Sequence, residues 1–181
     1  MNRKLLTLLA IVVMIGATDA LAQSASDTIT VTATNAGIFT FAIDQASFDF
    51  GTVDANGTTS STGVGGVRGG AGALYTALSA ATWTCNSAPK RTVGIVEASS
   101  VHTGGLPAGQ LAIQVPVSSL GGTSQGYVAF GANTAVITGI PNVGNGGANA
   151  ASGTIDFQLT VNDVDAVGAN SWTVVLTASG V

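Results

Sequence analysis

Apolar side chains alternate with small or polar ones along much of the chain, and residues 38–53 show this pattern most clearly. Phe39 and Phe41 are separated by one residue, and so are Phe48 and Phe50, which together make four of the six phenylalanines. Successive side chains of a β-strand point to opposite faces of the sheet, so this spacing indicates strands with one buried face. We therefore expect two core strands in this stretch.

The same period of two recurs along the rest of the chain, which predicts an all-β fold. We expect a single antiparallel β-sandwich of Ig-like or Greek-key type, with about eight to ten short strands and no major helix. The further predicted strands are residues 28–34, 80–85, 92–98, 110–117, 127–130, 134–140, 154–161 and 171–178.

The connections between these strands are less uniform. Residues 80–85 and 92–98 are separated by a turn sequence, which indicates a hairpin. Pro116 cannot donate a ladder hydrogen bond, so residues 110–117 are expected at a sheet edge. Residues 54–72 are rich in glycine and indicate a long loop with at most a short edge ribbon. The spacing in residues 73–81 fits either a helix or a strand.

The first 22 residues have the features of a secretory signal peptide. A basic start precedes an apolar run over residues 5–17, and Ala20-Leu21-Ala22 has the small-x-small form of a cleavage site. A transmembrane anchor is the alternative, but the apolar run is short for a stable span. We expect cleavage after Ala22, a single domain over residues 23–181, and a periplasmic, cell-surface or extracellular location.

Charge limits the partners of the exported chain. Charged residues make up 8% of the sequence, and loss of the leader changes the net charge from −4 to −5. The basic residues that remain are Arg68, Lys90 and Arg91, which can neutralise few phosphates. Nucleic acid and anionic membranes are therefore disfavoured as partners.

The sequence offers little for catalysis. Gly122-Thr123-Ser124-Gln125-Gly126 fits the G-x-S-x-G pattern, but a nucleophile elbow requires a following helix and a later histidine. The single histidine, His102, precedes Ser124 and is expected in a loop. We predict no catalytic residues, no cofactor and no enzyme activity.

Asp163 and Asp165 form a possible oxygen-rich site. They lie in Asn-Asp-Val-Asp, between two strongly predicted strands, where carboxylates could bind calcium. A turn stabilised by side-chain hydrogen bonds is the favoured alternative. We therefore predict no metal site and keep Asp163 and Asp165 as calcium candidates. Cys85 has no second cysteine in the chain and is expected to be buried.

Several stretches resemble bacterial surface β-sandwich proteins. FDFGTV at residues 48–53, TWTCNSAPKRTVGIVEAS in the middle and SWTVVLTAS near the end resemble the WxL-like surface proteins. The chain also resembles spore coat protein U and the archaic chaperone–usher pilins, which share a similar Phe-Gly corner and a strand that ends in cysteine. The first resemblance implies cell-wall binding, and the second implies assembly into a pilus.

We accordingly expect a secreted, noncatalytic structural or adhesion protein. In the pilin-like alternative, residues 28–34 would add as a strand to another subunit, with Ile29, Val31 and Ala33 filling its groove. The same segment could instead be the first strand of its own sandwich. A module that binds glycan or cell wall is the remaining alternative, so the expected partners are the protein itself, other envelope proteins, or a surface glycan.

Overall fold

The computed structural model describes residues 30, 32–33, 37–144 and 149–181, with the backbone alone at 98–100. The chain divides into two units, Met1–Asn35 and Ala36–Val181. The predicted signal peptide, Ile29 and Val31 lie outside the described residues. Ala33 is described, and it is exposed and outside any strand.

The described residues of the second unit form ten β-strands. They are β1 (Ile38–Ile43), β2 (Gly66–Gly69), β3 (Gly72–Ala88), β4 (Arg91–Thr103), β5 (Leu111–Gln114), β6 (Thr123–Ser124), β7 (Val128–Ala129), β8 (Ala135–Val143), β9 (Ala151–Asn162) and β10 (Ser171–Gly180). The described residues include a short 3-10 turn, Ala108–Gln110.

The strands form two antiparallel sheets. The first sheet has the order β1-β3-β9-β5-β7. β2 and β1 lie on the same side of β3: β2 pairs with the beginning of β3 and β1 pairs with its end. The second sheet has the order β10-β4-β8-β6. The predicted all-β sandwich is confirmed, while the Ig-like or Greek-key subtype stays a prediction.

The core lies between the two sheets and follows the predicted alternation in β3 and β4. The prediction that β1 is a core strand is wrong: Phe39 and Ile43 are 37% and 38% exposed, because β1 is the outermost strand of its sheet. From the first sheet, Trp83 is 1% exposed and Cys85 is fully buried. From the second sheet, Val93 and Ile95 are fully buried in the same cluster. Cys85 is a free thiol, and burial raises its pKa because the thiolate would lose its hydration. The buried position expected for Cys85 is thus confirmed.

Two predictions about strand length and pairing are wrong. The strands are not uniformly short, because β3 has 17 residues and β9 has 12 and each follows the full length of the sandwich. The predicted hairpin is absent because β3 and β4 belong to different sheets. The intervening turn carries the chain from one sheet to the other. Residues 73–81, left open between helix and strand, lie within β3.

Two further strand predictions fail for local reasons. Residues 48–50 form no strand, and Phe48 is 37% exposed because it packs on a ring of the first sheet instead of pairing. β5 ends at Gln114, before Pro116. β7 pairs with β5 at Ala112 and Ile113, so the strand is not an edge strand there, whereas Gln114 pairs with β9 alone, as predicted for the end nearest Pro116. The proline ends the strand because it has no N–H to donate.

Replacement of Trp83 tests the assignment of the core. We expect Trp83→Ala to lower the free energy of unfolding by about 3–5 kcal/mol, because it leaves a large cavity between the sheets. Leu78→Ala is the control, since Leu78 is 70% exposed and surface truncations usually change stability by less than about 0.5 kcal/mol. Urea unfolding of both variants measures the difference, and equal losses would contradict the assignment.

Candidate functional site

β10 is the edge strand of the second sheet, and one of its sides has no partner among the described residues. It pairs with β4 from Ser171↔Thr103 to Gly180↔Val93, and no strand follows on its other side. Val181 and Thr92 exchange two backbone hydrogen bonds of 2.9 and 3.2 Å. Backbone groups alternate in direction along an antiparallel strand, so Gly180, Ala178 and Leu176 direct theirs to the free side.

The inner face of β10 is incompletely covered. Trp172, Val174, Leu176 and Ala178 have the inward phase predicted for them, yet each is only half-buried. The equivalent positions of β4, Val93 and Ile95, are fully buried. The two strands differ because β4 has neighbours on both sides and β10 has one.

A groove of about 1080 Å³ lies beside this uncovered face, between the two sheets. Its wall in the second sheet includes Val174 and Leu176 of β10, and Trp172 stands near one end. Its floor in the first sheet includes Ile113 of β5 and Phe157 of β9. Phe157 has the inward phase of its strand but stays half-buried because the groove is open above it.

The far rim of the groove is the extended segment of residues 45–55. Phe48 packs on Phe157 with ring centroids 5.9 Å apart, and on Phe50 edge to face at 5.2 Å. The structure shows no hydrogen bond donated by the backbone amides of residues 46–50 to any described residue. The groove is thus flanked by β10 on one side and, on the other, by a second backbone whose amides at residues 46–50 donate to no described residue.

Hydrogen bonds hold the rim at both ends. Asp44 accepts from the backbone N–H and the hydroxyl of Thr82, at 2.7 and 2.8 Å, and these bonds lower its pKa. At the other end, the Tyr75 hydroxyl accepts from the Asp54 N–H at 3.0 Å and lies 2.9 Å from the Thr58 carbonyl. The rim is therefore anchored to β3 twice, and its middle spans the gap without a strand partner.

An ion pair stabilises one end of the groove. Arg68 of β2 donates to both carboxylate oxygens of Asp163, at 2.5 and 2.7 Å, and also to the carbonyl of Ala55. These bonds lower the pKa of Asp163. Both partners are exposed, so the pair contributes more to the geometry of the loop than to stability.

The two calcium candidates already have protein partners. Asp163 is bound to Arg68, and Asp165 accepts from the Asn162 N–H at 2.5 Å and from Gln110 at 2.9 Å. No group of three or more potential metal-binding side chains occurs within the described ranges. The arrangement resembles the alternative of a turn stabilised by side-chain hydrogen bonds, and calcium binding stays a prediction without structural support.

The residues considered for catalysis are placed in structural roles. Ser124 lies in β6 and pairs with Ile137 of β8, followed by a glycine turn instead of a helix. His102 lies in β4, not in a loop as predicted, and its ring packs on Trp172 at 4.7 Å. A further ionisable side chain of β4, Glu97, is fully buried and accepts a hydrogen bond from the Asn133 N–H at 3.0 Å.

Sequence reasoning missed the open side of the sandwich. The alternation in β10 identified its inward residues, but an inward phase does not reveal whether a neighbouring strand covers them. The rim residues Phe48 and Phe50 were assigned to a core strand for the same reason. A usable signal was present in the composition of β10, which carries no charge and no proline along its full length.

Comparison of the chain with protein-family models, with curated proteins and with solved structures finds no match. The resemblances to the WxL-like proteins and to the coat-protein and pilin group therefore stay hypotheses. Among the described residues, no helix has the length and apolar character that crossing a membrane requires.

The Arg68–Asp163 pair predicts a specific pH dependence. The pKa of Asp163 is lowered from its ordinary value of 3.8 by the hydrogen bonds from Arg68. Its contribution to stability is therefore present above that value and is lost as the pH falls through the pKa of the folded state. We expect Asp163→Asn to remove part of the acid-induced loss of stability.

Urea unfolding of both proteins at a series of pH values measures this difference. Asp44 and Asp54 also have lowered pKa values and titrate in the same region, but they are common to both proteins. The difference in unfolding free energy between the wild type and Asp163→Asn should become smaller as the pH falls and as salt is added. A gap that is constant with pH would show that Arg68 does not act on the ionised Asp163.

Proposed function

We propose that this chain is an exported, noncatalytic structural protein that assembles by accepting a β-strand from a second copy beside β10. The observation that carries the proposal is the open groove, where a strand edge without a partner meets an apolar face that is half-buried. An added strand would satisfy the backbone groups and cover the side chains at the same time.

The composition of β10 supports a role in pairing. Proteins usually protect an exposed sheet edge with lysine, proline, a bulge or a covering segment, because a free edge pairs readily with other chains. β10 has ten residues, none of them charged or proline. The bulge in its pairing with β4 lies between Val175 and Leu176, so the run that follows, to Gly180, is regular.

Residues 28–34 have the properties that the groove requires. Their sequence, Thr-Ile-Thr-Val-Thr-Ala-Thr, places Ile29, Val31 and Ala33 on one face and threonines on the other. The apolar face matches the groove and the threonine face suits the solvent side of a sheet. Seven residues extend about 23 Å at the rise of a strand, which fits within the length of β10.

The direction of the strand favours a second copy over the same chain. Ile38 lies at the end of the sandwich where β10 finishes, since the side chain of Phe39 approaches Gly180. Three residues lie between residue 34 and Ile38, so the four steps from one to the other span about 14 Å at most. Residues 28–34 of the same chain would therefore have to run parallel to β10. A second copy can supply residues 28–34 in the direction antiparallel to β10. Every strand pair in the two sheets is antiparallel, and antiparallel pairing is more stable than parallel pairing.

The aromatic residues give less support to a glycan-binding module. Such a module would present exposed tryptophan or tyrosine to a sugar ring, but Trp83 and Tyr75 are buried. Trp172 faces the groove, where it packs on His102 and donates to the Ala108 carbonyl at 3.1 Å. The proposed function therefore rests on backbone pairing and apolar burial.

Substitutions in the alternating segment test the proposal on the exported chain. We expect Ile29→Asp with Val31→Asp to prevent assembly, because two carboxylates would enter an apolar groove at a cost of several kcal/mol. Thr30→Asp with Thr32→Asp is the matched control, since it adds the same charge on the solvent face. Light scattering after size exclusion measures the mass of each variant.

The proposal predicts large or laddered species for the wild type and for the threonine variant, and monomers for the Ile29 and Val31 variant. A wild type that is monomeric at all concentrations would contradict it. Equal assembly of the two variants would also contradict it, because the inward phase of the segment would then have no effect.

A further inference from the structure

The two ends of the sandwich differ in charge and in exposed apolar surface. The Lys90 end is the end formed by Ile38, the turn between β3 and β4, and Gly180. The Asp163 end is the opposite end, formed by Gly72, Thr103 and the loop between β9 and β10. β10 runs from the Asp163 end to the Lys90 end, as its register with β4 requires.

The Lys90 end is basic. It carries Lys90 and Arg91, two of the five basic residues of the chain, and both are exposed. Neither forms an ion pair with a described residue. Ile38, which is 47% exposed, adds apolar surface beside them.

The Asp163 end is acidic and also has exposed apolar side chains. Asp163 and Asp165 lie in its loop, and Arg68 offsets one of the two carboxylates. The same loop holds Val164 and Val167, which are 93% and 104% exposed. These two valines add exposed apolar surface to this end of the sandwich.

The direction of strand addition determines which ends meet. A strand that runs antiparallel to β10 enters the groove with residue 28 near the Lys90 end and leaves with residue 34 near the Asp163 end. Only three residues then separate residue 34 from Ile38 of the copy that donates it. The Lys90 end of the donor must therefore lie against the Asp163 end of the acceptor.

We propose, on the basis of the proposed function, that copies of this chain join head to tail through these two ends. Val164 and Val167 of the acceptor contact the Ile38 region of the donor, and Lys90 and Arg91 face the acidic loop. Each copy uses a different surface on each side, so the contact repeats from copy to copy and generates a linear polymer wherever the rotation between copies does not close a ring. Complementary charge favours this pairing over like ends.

The opposite direction of insertion gives a different assembly. If the strand ran parallel to β10, residue 34 would leave the groove at the Lys90 end. Two Lys90 ends would then meet, and the copies would exchange strands in a closed dimer with twofold symmetry. Lys90 and Arg91 of both copies would face each other there, which is an unfavourable arrangement of like charges.

Cross-linking of the exported chain distinguishes the two arrangements. Ile38→Cys with Val167→Cys, in one chain, places a thiol at each end, and a short bifunctional maleimide joins thiols that lie close together. Ile38→Cys alone tests contact between like ends. Ile38→Cys with Leu78→Cys is the control, because Leu78 is 70% exposed on a different surface. Cys85 is buried, so it should not react with the maleimide in any of the three variants. The wild type, whose one cysteine is Cys85, should therefore not be cross-linked.

The proposal predicts a ladder of covalent oligomers for the Ile38 and Val167 variant, and monomers on a denaturing gel for the other two. Covalent dimers from Ile38→Cys alone would overturn it and support the closed dimer. Absence of a ladder from assembled Ile38 and Val167 protein would also overturn it, while leaving strand addition intact. If light scattering shows no assembly of any of these proteins, the proposed function fails as well.

Discussion

The pairing of β3 with β9 is the interaction on which the rest of the sandwich depends. Its register runs from Gly72↔Asn162 to Cys85↔Ala151 and is interrupted by one bulge, between Ala77 and Ala81. Asp156 of β9 accepts a hydrogen bond from the Ser79 N–H within that bulge at 2.8 Å, which fixes the irregular backbone. This ladder carries β1 and β2 on one side and β5 on the other. A slip of one residue in either strand would turn the inward side chains of that strand toward solvent.

The sequence predicts the sandwich because its core positions follow from alternation alone. Trp83, Cys85, Val93 and Ile95 are buried in the phase that their spacing requires. Connections and strand ends were harder to predict, since they depend on tertiary contacts. A turn between β3 and β4 looks the same in sequence whether the chain stays in one sheet or crosses to the other.

The candidate site could be predicted only in part. The sequence of residues 28–34 predicts a strand that is suited to donation, because its two faces differ so clearly. The groove that would receive it was not recognisable, since Val174 and Leu176 have the same inward phase in an open sandwich and in a closed one. What separates the two cases is a missing neighbour, which the inward phase of β10 does not record; the absence of charge and proline from β10 is the one sign of it in the sequence.

The orientation of β10 has a mechanical consequence for the proposed assembly. β10 runs from one end of the sandwich to the other, so an inserted strand would lie along the axis that joins successive copies. Tension on the polymer would then act along the strand and load its backbone hydrogen bonds together in shear, instead of opening them one after another. Resistance to force is governed by the rate of unfolding rather than by equilibrium stability. A protein with 8% charged residues could in this way form joints that withstand pulling without relying on salt bridges.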